Sequence, residues 1–370
     1  MTAESTIPGA VAVDAPAIDE PIGAKPTVEP SPTGDGIGSG DTEQDERRRR
    51  RRAIVLLLLL AAVIVLLLFG LWYLLFRKPV SELPIPVIPA AVVPHYQYSI
   101  YNVVAPTGVA VSADGSRIYA TQTEGDRQVI AFDASGNQVA SLKPPVTGNG
   151  SHVPVYVAVD PVNGDVYVSD RPAAKIHVYS ASGSYLRAFD PGPELKGWAP
   201  LGLAFDPKGD LFVTNVGAPY QAVHEFGPDG ALIRTFGTAD ELDFPNGVVV
   251  DANGNVYVSD SDNGRLIVFD RDGTELGVIR RGVSVGDLGL PRGAAIDDRG
   301  RIYVADLAQQ GIQSYQALAP GDRQPKFIGG FGQEGTTDGS FRLPNAVAVD
   351  GRARVYIADW RNNRIQVWSY

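Results

Sequence analysis

The strongest constraint on the fold is a four-strand unit that recurs along most of the chain. It is clearest at residues 244–280, where short apolar runs at 247–250, 256–259, 266–269 and 275–279 alternate with turns rich in Asp, Asn and Gly. The runs are β-branched or aromatic and too short for helices, and Asn and Gly accept the positive φ angles that tight turns need. The unit therefore predicts a four-stranded antiparallel sheet.

Two markers show how often this unit occurs. A proline precedes each first strand at intervals of 45 to 53 residues, and an aromatic residue occupies one register of each second strand. The prolines are Pro106, Pro154, Pro200, Pro245, Pro291 and Pro344, and the aromatic residues are Tyr119, Tyr167, Phe212, Tyr257, Tyr303 and Tyr356. Six four-stranded units at a period near 46 predict an all-β, six-bladed β-propeller over residues 95–370.

The two ends of the repeat region predict how the ring closes. The last unit stops at Tyr370 after its third strand, whereas residues 96–103 form a spare strand before the first proline. We expect this N-terminal strand to complete the last blade, because closure removes exposed sheet edges.

A hydrophobic segment ahead of the propeller predicts one transmembrane helix. Residues 53–76 contain no charge, and at about 1.5 Å per residue they cross a hydrocarbon core of about 30 Å. Trp72 and Tyr73 fit the far interface. The six arginines before the span, Arg47, Arg48, Arg49, Arg50, Arg51 and Arg52, outnumber the two bases after it. This predicts a cytoplasmic N-terminus and an extracytoplasmic propeller, with an uncleaved signal anchor favoured over a cleaved signal peptide.

The remaining segments are interpreted from composition. Residues 1–46 are acidic, rich in Pro and Gly and lack aromatic residues, so we interpret them as a disordered tail, and the Pro-rich residues 77–94 as an extended stalk. Residues 79–370 carry 32 acidic and 23 basic side chains, a balance that disfavours nucleic acid as a partner. Since the chain has no cysteine, disulfides and thiolate metal sites are excluded.

The repeat resembles the NHL repeat family. The residues that carry the resemblance are spaced glycines, a Phe, the Pro, an apolar strand, a strand ending in Asp, and then Asn, Arg, Ile and an aromatic, best seen at 331–370 and in the unit at 244–280. The resemblance implies an NHL-type propeller. Its relatives include substrate-binding ubiquitin ligases, sensor domains and a zinc-dependent lyase, so it implies no single activity.

Acidic side chains follow four of the second strands, on the face that also carries the loops leading into the first strands. Asp170, Asp260, Asp306 and Asp359 are weak candidates for a divalent cation site in the central channel. We favour a structural role as turn caps, because Lys175, Arg265 and Arg364 each lie five residues after one of these Asp and can pair with it.

The residue after each marker proline is expected at the mouth of the channel. Thr107, Asn246, Arg292 and Asn345 are the predicted ligand-binding residues, beside Val155 and Leu201. Arg292 is the cation of the set and suits a carboxylate or phosphate, unless a neighbouring Asp pairs with it.

The histidines argue against the zinc chemistry of the lyase relative. His152 is the only His close to a marker proline, whereas His177 and His224 fall in third strands and His95 lies at the end of the stalk. A zinc site needs three or four converging ligands, so no zinc site and no cofactor are predicted.

These patterns favour a membrane-anchored, non-catalytic module that binds or senses a protein, peptide or glycan on its loop face and meets the lipid bilayer through residues 53–76. Two alternatives stay open. One is a metal-dependent, lactonase-like hydrolase or lyase with its site in the channel, and the other is a structural scaffold of the cell envelope.

Overall fold

The computed structural model describes residues 39–77, 93–145, 152–189, 191–192, 195–238 and 241–370. The chain divides into two units, residues 1–87 and 88–370.

The first unit contains one long helix, α1, Ser39–Arg77. Within it, Arg48–Phe69 is long and apolar enough to cross a membrane, judged by length and composition alone. The helix begins earlier than the expected span, so residues 39–46, assigned to the disordered tail, are helical. Their sequence places four acids ahead of the arginine run, and this charge order favours a helix because its N-terminus is the positive end of the helix dipole. The rest of the predicted tail and residues 78–92 of the stalk lie outside the described residues.

The second unit is a ring of six four-stranded antiparallel sheets. The first three blades are β2–β5 (Pro106–Val111, Arg117–Gln122, Val129–Asp133, Gln138–Leu142), β6–β9 (Pro154–Val159, Val166–Asp170, Lys175–Tyr179, Tyr185–Phe189) and β10–β13 (Pro200–Phe205, Leu211–Asn215, Ala222–Phe226, Leu232–Phe236). The fourth and fifth are β14–β17 (Pro245–Val250, Val256–Asp260, Arg265–Phe269, Glu275–Ile279) and β18–β21 (Pro291–Ile296, Arg301–Asp306, Gly311–Gln316, Lys326–Phe331). The six-bladed propeller is confirmed.

The sixth blade shows how the ring closes. It combines β22–β24 (Pro344–Val349, Val355–Asp359, Arg364–Ser369) with β1 (His95–Ile100), in the order β1, β24, β23, β22. The predicted closing strand is therefore confirmed. Val93 packs against the apolar cluster between the fifth and sixth blades, and Pro94 is buried, so the C-terminal end of the predicted stalk belongs to the propeller.

The core lies between the blades, with one apolar cluster at each of the six blade interfaces. The aromatic residue that marks each second strand is buried in every blade, as the sequence predicts. Each first strand has a β-bulge shortly after its proline. Because a bulge re-aims side chains, it sets the direction of the residues that follow each proline.

Candidate functional site

The loop face of the propeller is defined by two sets of loops, those that lead into the first strands and those that join second to third strands. The first strands start at this face and end at the opposite one, which carries the turns to the second strands. The predicted ligand-binding residues all lie where the first strands begin.

Three of these residues have intramolecular partners. The Thr107 hydroxyl donates to the backbone oxygen of Val155 in the next blade at 3.0 Å. The Asn345 amide donates to the backbone oxygen of Thr107 at 2.6 Å, and Asn246 accepts a hydrogen bond from the Tyr156 hydroxyl. All three side chains are buried. They link blades to one another, and ligand binding by them stays a prediction.

Tyr156 is a residue that sequence reasoning missed. The equivalent position in the other blades holds Gly or Ala, namely Gly108, Gly202, Gly247, Gly293 and Ala346. The Tyr156 side chain reaches from the second blade across the axis, where its hydroxyl donates to Asn246 Oδ1 of the fourth blade and lies 3.3 Å from the backbone oxygen of Asn345 in the sixth. Burial raises the pKa of this hydroxyl far above its usual range, and this effect outweighs the positive charge of Arg292, which lowers the pKa. The hydroxyl therefore stays protonated and donates. The ring of Tyr156 therefore closes the loop-face end of the channel.

The open part of the channel lies towards the opposite face. A cavity of about 180 Å³ is lined by the later residues of the first strands, including Val111, Phe205, Val250, Ile296 and Val349. The side chains that line it are apolar, since all sixteen lining residues are Val, Ala, Leu, Ile or Phe.

Arg292 differs from Thr107, Asn246 and Asn345 because it carries a charge, and no described carboxylate pairs with it. Its Nε atom is buried and hydrogen-bonds no described group, and its guanidinium carbon lies 5.9 Å from the centre of the Phe244 ring. The guanidinium carbon of Arg171, from the second blade, lies 5.4 Å from the same ring. The predicted salt bridge from Arg292 to a neighbouring Asp is absent among the described residues. Two cations from different blades therefore lie close to one aromatic ring on the loop face.

The residue that ends each second strand has one common role. Its side-chain oxygen accepts the backbone N–H of the loop leading into the same blade, at 2.7–3.2 Å. The acceptors are Gln122, Asp170, Asn215, Asp260, Asp306 and Asp359. The sequence shows this shared acceptor as an Asp, Asn or Gln at the equivalent position of every unit. The hydrogen bond holds each lead-in loop against its own blade.

The expected ion pairs form in two of three blades. Arg265 Nε lies 2.6 Å from Asp260 Oδ2, and Arg364 Nε lies 2.9 Å from Asp359 Oδ2. The prediction that Lys175 pairs with Asp170 is wrong, because His152 and His177 lie beside this carboxylate. Asp306 instead accepts four backbone N–H bonds, the shortest from Gly289 at 2.6 Å.

The histidines beside Asp170 correct the expectation that His152 stands alone. His152 Nδ1 hydrogen-bonds Asp170 Oδ2, and His177 Nε2 lies 3.4 Å from the same oxygen. Burial opposes ionisation of Asp170, but hydrogen bonds from both imidazoles and from two backbone N–H groups hold its pKa well below the usual range. Sequence spacing hid this cluster because β7 and β8 are antiparallel, which brings a third-strand residue back beside the end of the second strand.

Comparisons with known proteins agree with this geometry. The NHL repeat family model matches residues 242–269, which span the first three strands of the fourth blade. The fourth blade is an NHL repeat. The chain is 29% identical over 230 residues to NHL repeat-containing protein 3 of Mus musculus, a match that covers 58% of this chain and 51% of the relative. The chain thus spans about half the length of the curated relatives it matches.

Solved structures share the propeller. A Bacteroides thetaiotaomicron structural-genomics protein of unknown function superposes with a TM-score of 0.57 at 18% identity, over 75% of this chain and 72% of that one. A streptogramin B lyase superposes with a TM-score of 0.51 at 14% identity, over 74% of this chain and 96% of that one. At these identities the likeness shows the fold alone.

Proposed function

We propose that this chain is a membrane-anchored extracytoplasmic module that binds an acidic segment of a protein or peptide on its loop face. The observation that carries the proposal is the pair of cations, Arg171 and Arg292, whose guanidinium carbons lie 5.4 and 5.9 Å from the centre of the Phe244 ring. A guanidinium with no carboxylate partner is suited to a carboxylate or phosphate of a ligand.

Exposed apolar side chains also lie on loops of the same face. Val104 is 43% exposed, Tyr220 48%, Val283 103% and Val285 88%, and they lie on loops of the first, third and fifth blades. Exposed apolar groups around a charged centre are typical of protein-binding surfaces, where aromatic residues and Arg contribute most. The ligand class therefore favoured is a protein or peptide rather than a glycan.

The membrane part of the proposal rests on α1 and on the arginine run. Arg48–Phe69 has the length and composition of a membrane-spanning helix. The positive-inside rule predicts that its N-terminus lies in the cytoplasm. We propose no catalytic function for the channel. The side chains that line its cavity are apolar and offer no metal ligand or general base.

The binding proposal is tested by site-specific photo-crosslinking of the full chain in its own membrane. A photo-reactive amino acid at Val283, on the loop face, is compared with one at Val162, which is 68% exposed in the turn between β6 and β7 on the opposite face. We expect discrete cross-linked species from position 283 only, and their loss with Arg292→Ala but not with Arg299→Ala. Arg299 lies in the turn between β18 and β19 of the same blade, so the two variants change charge equally. Equal cross-linking from both positions, or loss with Arg299→Ala alone, would contradict the proposal.

The topology is tested separately with the cysteine-free chain. A single cysteine at exposed Ala134 should react with a membrane-impermeant maleimide in intact cells, whereas one at Ser5 should react only after permeabilisation. The reverse pattern would place the propeller in the cytoplasm.

A further inference from the structure

The second blade neutralises its buried carboxylate differently from the fourth and sixth blades. In those blades a guanidinium reaches the Asp that ends the second strand, at 2.6 Å for Arg265 and 2.9 Å for Arg364. In the second blade the equivalent base is Lys175, and it pairs with no carboxylate among the described residues. A fully buried carboxylate is costly unless it is paired or hydrogen-bonded. Asp306 of the fifth blade accepts four backbone N–H bonds, whereas Asp170 accepts two backbone N–H bonds and has two imidazoles beside it.

Two imidazoles converge on the Asp170 carboxylate. His152 comes from the loop leading into β6 and His177 from β8, and their nearer nitrogens, Nδ1 and Nε2, face Asp170 Oδ2. These three atoms all lie within 4.8 Å of one another. Asp170 has no exposed surface and the His177 side chain is 9% exposed, whereas the His152 side chain is 24% exposed. The cluster is therefore preformed, buried on two sides and accessible from the third.

We propose that His152, Asp170 and His177 bind a divalent transition-metal ion of the Zn²⁺ class. Two imidazoles and one carboxylate are a ligand set that Zn²⁺ accepts, at about 2.0–2.2 Å from each ligand atom. Nitrogen ligands select Zn²⁺, Ni²⁺ or Cu²⁺ over Mg²⁺ or Ca²⁺. The ion would also supply the positive charge that Arg265 and Arg364 supply in the fourth and sixth blades.

This site lies within one blade, away from the apolar channel cavity. All three ligands come from the second blade, and the side open to solvent is that of His152, on the loop face. The ion would fix the loop that leads into β6 to the ends of β7 and β8. A tetrahedral ion with three protein ligands keeps one position for water or for a ligand donor. The inference does not depend on the acidic ligand proposed for Arg292.

The sixth blade provides a substitution that separates metal binding from hydrogen bonding. Gln366 lies at the strand position of His177, and its Nε2 donates to Asp359 Oδ2 at 2.9 Å. A glutamine in place of His177 can therefore keep the hydrogen bond to Asp170 while removing a metal ligand. The third blade provides the matched control, because His224 lies at the same strand position and hydrogen-bonds Thr235 Oγ1 at 2.8 Å instead of a carboxylate.

The test measures Zn²⁺ binding to the full chain in detergent, purified without a polyhistidine tag and stripped with a chelator. Equilibrium dialysis should give one ion per chain, and Co²⁺ should give the visible absorption of a tetrahedral site. We expect His177→Gln and His152→Gln each to weaken Zn²⁺ binding by about 100-fold or more, beyond what loss of an outer-shell partner costs. His224→Gln should bind as the unmodified chain does.

Thermal unfolding keeps the test informative if a variant is destabilised. Zn²⁺ at a concentration that just saturates the unmodified chain should raise the melting temperature of that chain and of His224→Gln, and should raise that of His177→Gln far less. Less than one ion per chain, or binding that survives both His152→Gln and His177→Gln, would overturn the proposal. A result of that kind would leave the cluster as a hydrogen-bonded triad and would leave the Arg292 proposal untouched.

Discussion

Tyr156→Phe tests whether the hydroxyl across the axis holds the propeller together. The substitution keeps the ring and removes only the group that donates to Asn246 Oδ1. Asn246 is 3% exposed, so water cannot easily replace the lost donor. An unsatisfied buried acceptor costs about 1–3 kcal/mol of unfolding free energy. Tyr156→Ala also removes a ring that is only 7% exposed, which raises the expected cost to about 3–5 kcal/mol or more.

The assay is denaturant unfolding of the full chain in detergent, followed by tryptophan fluorescence. Trp198, Trp360 and Trp368 report on the propeller, and the midpoint shift at constant slope gives the change in unfolding free energy. Tyr220→Phe is the control, since Tyr220 is 48% exposed and its substitution should change stability by no more than about 0.5 kcal/mol. If Tyr156→Phe behaves like Tyr220→Phe, the hydroxyl does not hold the fourth and sixth blades and the reasoning is refuted.

Two further predictions concern closure and pH. Deleting residues 95–104 removes β1 together with the buried Ile100 and Val103, so we expect a sharp fall in melting temperature, corresponding to about 4 kcal/mol or more, while deletion of residues 20–30 changes nothing. An unchanged melting temperature would mean that β1 does not close the ring. Burial lowers the pKa of His224 from 6.5 to about 4, so its stabilising contribution is present above pH 6.5 and is lost as the pH falls towards 4, by up to about 3 kcal/mol. His224→Gln should flatten the pH dependence of unfolding free energy over this range, and an unchanged slope would show that another group titrates.

The sequence predicted those features that depend on local order. The prolines, the aromatic register and the turn residues recur at a nearly constant period, so the number of units in the sequence predicted six blades. The last unit has only three strands, which predicted that an N-terminal strand completes it. Asp260 with Arg265 and Asp359 with Arg364 are separated by a single turn, and a hairpin of that length sets the two positions opposite each other. Lys175 had the same spacing from Asp170 and did not pair with it, because the choice of partner depends on side chains that spacing does not show.

The tertiary structure decided the contacts between distant parts of the chain. Tyr156 and Asn246 are 90 residues apart and belong to blades that are not neighbours, and only the closed ring brings them together at its axis. Their meeting closes the channel at the face where ligand binding was expected. His152 and His177 meet because one lies on a lead-in loop and the other on a strand that runs back towards it.

The sequence by itself therefore determined the number of blades, the closing strand and the apolar helix, because each depends on periodicity or on the length of one continuous segment. Only the tertiary structure decided which polar groups are already paired and which have no partner among the described residues. Pairing depends on the distances between blades, and these are set by packing around the axis. That difference separates the lead-in residues, since Thr107, Asn246 and Asn345 hydrogen-bond other blades, whereas Arg292 pairs with no described carboxylate.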